Sequence, residues 1–246
     1  MNWFNMNEII LSITTWKGRL YTKDLPKNLY KFLYKQKTKY NYKVVLVLSE
    51  EEFPNKEKDV PEEILLLKNE KRFEILWTYK NTKAFKKLEP VREKYPDAII
   101  ITTDDDIELE ETCIEQIMNN YDGKTIISHG VHYDDFGYNL PLVWGVRCFP
   151  PNSLYKLNNE EFSTYFNNMQ DDEWNGIRIV LNKTPVKALW HLLKSEYAGD
   201  QSKAFRKEYF KFDMKSAIKK WFMDHPKEYS LFNEHIKHYK NKEIYK

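Results

Sequence analysis

Two acidic runs carry most of the chemistry this chain offers. The first is "TTDDD" (Thr102 to Asp106), which follows the apolar run Ala98-Ile99-Ile100-Ile101 at once. Three adjacent carboxylates repel one another, and no cation stands beside them in sequence. The repulsion is tolerable where the acids lie in solvent at a strand end, or where a cation comes to them. In extended backbone, residues two apart point to the same side. Asp104 and Asp106 are therefore expected to face one ligand while Asp105 turns elsewhere. Two such oxygen donors beside phosphates suit Mg²⁺ or Mn²⁺. The plainer alternative is a solvated turn with Asp106 near the N-cap of the next helix. The second run is "QDDEW" (Gln170 to Trp174), where Asp171, Asp172 and Glu173 precede a helical pattern. The amide end of a helix favours negative charge, and a carboxylate held there can take a proton from a hydroxyl. The alternative is that Asp171 only caps the helix.

The elements that position these runs alternate in type. "EIILSIT" (Glu8 to Thr14), "YKVVLVLS" (Tyr42 to Ser49), "FEILWTY" (Phe73 to Tyr79), Ala98 to Ile101 and "KTIISHG" (Lys124 to Gly130) read as strands. Helical patterns lie between them: Leu25 to Gln36, Thr82 to Tyr95 with Pro90 limiting or kinking it, and Leu109 to Tyr121. Such alternation predicts an α/β fold around a mostly parallel sheet. Ligands of such sheets bind beyond the carboxyl ends of the strands, where "TTDDD" stands. From about Tyr133 the alternation gives way to a stretch rich in Gly, Pro and aromatics, expected as irregular loops around one short strand. A helix over Met169 to Lys183, a last strand over Thr184 to Trp190 and a helix around Met214 to His225 complete the pattern. Residues 1–198 are expected to form the main domain and 199–246 a helical, basic and aromatic extension, with no clear linker between them.

Composition narrows the class. The 246-residue chain is 41% hydrophobic and 31% charged, as soluble globular proteins are. Its formal net charge of +2 argues against a dedicated nucleic-acid binder. Cys113 and Cys148 form no CxxC pair and read as reduced packing residues. No basic-then-apolar leader opens the chain and no apolar run nears the roughly 20 residues that span a bilayer, so a cytoplasmic location is expected. No G-x-G-x-x-G follows the first strand and no G-x-x-x-x-G-K-[ST] occurs, which disfavours dinucleotide and P-loop enzymes.

Four stretches, in order, resemble the GT-A glycosyltransferases, particularly the bacterial family-2-like enzymes encoded with capsule and lipopolysaccharide genes. "ILSITTWKGRL" looks like their first strand and nucleotide loop. "TKAFKKLEPVREKYPDAIIITTDDDI" is similar to their "KL-P-L … P-D-x-I-I-V-T-x-D-D-D-I" block. "GVRCFPPNSL" resembles "G-V-L-Y-P-P-x-S-L", and "DDEW" resembles "D-D-I-W". The likeness runs from about Ile9 to Leu189.

It implies a GT-A fold with a mixed, mostly parallel sheet flanked by helices, and transfer of a sugar from a nucleoside-diphosphate sugar. UDP is the first choice of nucleotide by frequency in the family. The acceptor would be a hydroxyl of a glycan or a lipid-linked saccharide in surface polysaccharide synthesis. Carried across, Asp104 would contact the nucleotide ribose and Asp106 the metal, with Asp104 as a second metal ligand and Asp105 beside them on the donor side. Thr14, Thr15 and Arg19 would lie along the nucleotide, and Lys83 or Lys87 near its base or phosphates. Asp172, with Asp171 next, would be the base of an inverting transfer. Trp144, Gly145 and Trp174 would meet the acceptor, although Trp174 reads equally as a core residue. Arg147-Cys148-Phe149 departs from the pattern's aliphatic-aromatic pair before Pro-Pro.

Each cationic or imidazole candidate has an ordinary reading too. Lys83, Lys86 and Lys87 could form a solvated helix face. His129, His132 and His191 read as hydrogen-bonded histidines rather than metal ligands. A sugar-nucleotide pyrophosphorylase would want a Gly-rich loop where "SITTWKGRLYTK" has one Gly. A non-catalytic carbohydrate-binding protein on the same fold would show no turnover. The basic, aromatic C-terminal segment can either rest on an anionic membrane surface or pack its aromatics against the main domain.

Overall fold

The computed structural model describes residues 7–134, 137–167, 171–195 and 212–240. β1 (Ile9–Thr14), β2 (Tyr42–Ser49), β3 (Phe73–Thr78) and β4 (Ile99–Thr103) pair in parallel, with β1 between β2 and β4. β1, β2 and β4 are buried almost throughout. Continuous apolar runs are what parallel strands covered on both faces require. β6 (Ile126–Tyr133), β7 (Pro141–Phe149) and β8 (Val186–Ala188) complete a seven-stranded sheet of order β3-β2-β1-β4-β7-β6-β8. Only β7 runs against its neighbours, so the sheet is mixed and mostly parallel, as expected.

Alternation along β1 divides the core. Ile9, Leu11 and Ile13 face one apolar cluster with Leu25, Leu29, Phe32 and Leu33 of a helix at Asp24–Tyr34. Ile10 faces the other, with Trp174, Ile177 and Val180 of the helix Asp171–Leu181. Among the described residues the helices are α1 (Lys17–Leu20), α2 (Asp24–Tyr34), α3 (Glu62–Leu66), α4 (Glu89–Lys94), α5 (Cys113–Asn119), α6 (Asn159–Phe166), α7 (Asp171–Leu181), α8 (Met214–Asp224), α9 (Pro226–His235) and α10 (Lys237–Lys240).

Three elements differ from expectation. The stretch read as loops around a short strand contains β7, a nine-residue strand in the middle of the sheet. Pro141 occupies its first position, where a missing N–H costs least. Gly145, at φ +74°, makes a bulge opposite Ser128 to Gly130. The turn-forming residues thus belong to the strand. The helix expected over Thr82 to Tyr95 is divided into a 3₁₀ turn at Lys83–Lys87 and α4, with Pro90 inside the first turn of α4, where it is tolerated. The helix expected from Leu109 begins only at Cys113. Glu108 and Leu109 instead form a short strand, β5, paired with β9 (Leu193–Ser195).

In α8 and α9, Met214, Ile218, Trp221, Phe222 and Phe232 are buried, and they share one core with Phe166 and Trp174. Trp221, Phe222 and Phe232 of this segment thus pack against the main domain, while Tyr229 is 45% exposed. Exposing Phe222 and Phe232 would each cost about 1.5–3 kcal/mol. No helix among the described residues is long and apolar enough to cross a membrane. Cys113 and Cys148 are buried free thiols, and burial raises the pKa of both.

Candidate active site

β4 delivers the acids to the carboxyl edge of the sheet, and there the chain turns. The Ile107 N–H donates to the Asp104 carbonyl at 3.4 Å, and Asn28 Nδ2 of α2 donates to the Asp105 carbonyl at 2.9 Å. Ile107 and Leu109 are buried immediately afterwards, which draws the backbone back inward. The extended geometry expected of Asp104 to Asp106 is therefore replaced by a turn, and the three carboxylates take different partners. Asp106 does not cap a helix, because α5 starts beyond β5.

Asp105 is the inward one. Its Oδ2 accepts from Thr15 Oγ1 at 2.6 Å and its Oδ1 from Arg19 Nη1 at 2.5 Å. Burial pushes its pKa up, with Arg19 and Thr15 opposing. Arg19 Nη2 reaches Asp106 Oδ2 at 3.0 Å, so one guanidinium spans two of the acids. Thr14 does not join them. Its Oγ1 donates to the Val47 carbonyl of β2 at 2.7 Å.

Asp104 meets the second acidic run. It pairs with Lys87 and lies 3.8 Å from Arg147 Nη2. Lys87 also stands 3.8 Å from Asp171 Oδ2, and Arg147 Nη1 pairs with Asp172 and lies 3.5 Å from Asp171. The sheet register explains the meeting: Thr102 of β4 is opposite Arg147 of β7, and α7 presents Asp171 and Asp172 from its first turn. The two acidic runs, distant in sequence, thus share two buried cations.

Burial and Arg147 both work against a charged Lys87, but Asp104, Asp171 and Asp172 outweigh them and its pKa goes up. Burial also disfavours a charged Asp104, yet Lys87 and Arg147 bring its pKa below the usual value. Asp172 is pushed up to about 6, by burial first, with Arg147 opposing and Asp171 adding. Glu173 rises to about 8 through burial and then Asp172, so it is largely protonated at neutral pH. Five carboxylates (Asp104, Asp105, Asp106, Asp171, Asp172) meet three cations (Arg19, Lys87, Arg147), which leaves two negative charges over when all are ionised.

The other candidates divide. Lys83 opens the 3₁₀ turn, with its N–H on Asn81 Oδ1, while Lys87 enters the cluster from the far end of that turn. Neither Lys86 nor Lys87 is a solvated face residue: both are buried, and Lys86 bonds Asn81 at 2.7 Å and Glu52 at 3.1 Å. Trp174 is fully buried against Phe166 and Trp221, so it offers no ring face to a sugar. Trp144 and Gly145 lie on β7, three and two residues before Arg147. Gly145 backs onto His129, where an added Cβ would come within 3.0 Å of the His129 Cβ.

Arg147 is the residue that sequence reasoning undervalued, noting it only as a departure from a pattern. Its signal was present: a lone cation inside the apolar run "LVWGVRCF" needs acids brought to it from elsewhere.

No protein-family model matches the chain, and no curated protein matches it in sequence. Among solved structures, the chain is similar to the crystal structure of S. aureus TarS, at 11% identity and a TM-score of 0.45. The likeness covers 76% of this chain and 36% of that one, so the chain spans little more than a third of TarS.

Proposed function

We propose that the protein is a glycosyltransferase that moves a sugar from a nucleoside-diphosphate sugar to a hydroxyl of a glycan or lipid-linked saccharide, with inversion. The observation that carries this reading is the joining of the two acidic runs through Lys87 and Arg147 at the carboxyl edge of the sheet. A departing diphosphate needs positive groups where its charge develops. Lys87, Arg147 and Arg19 are such groups, held in place by acids and largely removed from water. An attacking hydroxyl needs a base poised near neutrality, and Asp172, at about 6, is one.

The donor chemistry also fits a divalent cation. Among the described residues, no three or more His, Cys, Asp or Glu side chains converge as a closed metal cage would. Mg²⁺ is usually held by one or two carboxylates and completes its shell with phosphate and water oxygens. Asp104 and Asp106 supply hard oxygen donors, and the residual negative charge favours a cation. When bound, Mg²⁺ or Mn²⁺ would neutralise charge on the leaving diphosphate.

Titration calorimetry with UDP, GDP and their sugars, with and without Mn²⁺, tests the reading. UDP-sugar is expected to bind more tightly with metal, Asp106→Ala to remove that metal-dependent gain, and Lys87→Met to weaken binding about tenfold or more. Failure of every nucleotide to bind, with or without metal, would overturn the proposal.

A further inference from the structure

Three aromatic rings, from β6, β7 and the turn after β8, meet beside two glycines. β8 runs parallel to β6 with Ser128 opposite Ala188, and Trp190 lies in the turn just beyond the end of β8. On the other side of β6, Gly130 is paired with Trp144 of β7. The Trp144 indole lies directly on Gly130, where an added Cβ would come within 2.3–2.4 Å of the ring. His129 meets both indoles edge-on, with centroids 5.0 Å from Trp144 and 6.0 Å from Trp190, and the two indoles are 6.1 Å apart. The Gly145 bulge lets β7 approach His129, and a bulge is a common means of re-aiming a neighbouring side chain.

The outermost ring of this cluster is open: Trp190 is 51% exposed. An indole held edge-on by two other rings has little freedom to lose when a ligand arrives, so its open face is already organised for stacking. Its position ties it to the catalytic residues. Just after Trp190, the Leu192 carbonyl accepts from the Glu110 N–H at 3.0 Å, and β9 pairs with β5, the strand that follows the acidic turn. On the inner side, Trp144 lies three residues from Arg147, which holds Asp172.

We propose that Trp190, backed by Trp144 and His129, is the stacking platform for a sugar ring of the acceptor saccharide. This rests on the transferase reading for the word acceptor, but the platform itself is a carbohydrate-binding surface with its own readout. Trp190 takes the role that Trp174 cannot. The aromatic face meets the apolar C–H face of a pyranose, while the hydroxyls at the ring edge stay free for hydrogen bonds.

The test uses the full chain on an array of defined oligosaccharides, probed with UDP and Mn²⁺ present, with UDP binding measured on the same sample. Wild-type protein is expected to be retained on at least one oligosaccharide. Trp190→Ala should lower that retention about tenfold or more and Trp190→Phe less, with UDP affinity unchanged in both. Equal retention of Trp190→Ala and wild type would overturn the proposal. So would an absence of retention by a wild-type sample that binds UDP. Retention that depends on Trp190 in a protein that binds no nucleotide would sustain the platform and sink the transferase reading instead.

Discussion

The same two segments build two buried charge groups that behave in opposite ways. Glu89 opens α4, two residues after Lys87, and Arg178 lies further along the helix that begins with Asp171 and Asp172. Glu89 accepts from Arg178 Nη1 at 2.6 Å and from Arg92 Nη1 at 3.0 Å, while Arg178 Nε donates to the Tyr155 carbonyl at 2.9 Å. Both central side chains are sealed, with 2% exposure for Arg178 and 8% for Glu89. The group is closed. Around Lys87 and Arg147 the acids outnumber the cations, Arg147 Nε lacks a hydrogen-bond partner, and Asp104 and Asp172 are 38% and 36% exposed. A buried ion group that is complete fastens α4 to α7; one that is incomplete and open on one side is equipped to receive a ligand.

Substitutions can break this contrast. Asp172→Asn should lower the transfer rate by about 10²–10⁴-fold, the usual consequence of losing a positioned base. UDP-sugar affinity should change far less than the rate, because Arg147 keeps Asp104 and Asp171 as partners. Near-normal transfer would remove Asp172 from the mechanism. Arg178→Met should do the reverse. It leaves the buried Glu89 with Arg92 alone, and the lost charged hydrogen bond is expected to cost about 1.5–3 kcal/mol in urea denaturation. UDP affinity of the protein that remains folded should be kept. A loss of affinity without a loss of stability would show the two groups to be one system.

A smaller effect separates neighbours on α7. Glu173 has a native pKa of about 8 against an ordinary value of 4.5. Between those values the native state holds more protons than the unfolded chain, so this group's contribution to stability is full at low pH and is lost as pH rises. Asp172 acts with the same sign between 3.8 and about 6. Glu173→Gln should therefore flatten the decline in Tm throughout the window from 4.5 to about 8, and Asp172→Asn only the part of it below about 6. A Tm that rises through both windows in the wild type, unaltered by either variant, would contradict these environments.

How much of this was legible in the sequence depended on the range of the forces involved. Ile9–Thr14 and Tyr42–Ser49 announce themselves because burial on both faces demands unbroken apolar residues. β7 did not, because Pro141 and Gly145 look the same in a loop as at a strand start and a bulge. Leu109 was assigned to a helix that its pairing with β9, from the far end of the domain, took away. The acidic runs were recognised by residue type and order. Their junction was not, since it is made by Lys87 and Arg147, whose burial depends on acids from two other elements. Trp190 gave no signal, as its setting comes from rings on two other elements, His129 of β6 and Trp144 of β7.

The reversed strand has a consequence for how the chain is made. β1 to β4 can assemble once residues through Thr103 have left the ribosome, but β7, which covers β4, is synthesised later. Until then β4 is an edge: Ile99 to Ile101 with open amides and carbonyls, the sort of segment that recruits strands from other nascent chains. Its exit is marked by three consecutive negative charges. Charges flanking an unavoidable apolar strand act as gatekeepers against such pairing. Before Arg147 arrives to engage Asp104, the acidic turn therefore has a different occupation: it keeps the unfinished sheet soluble.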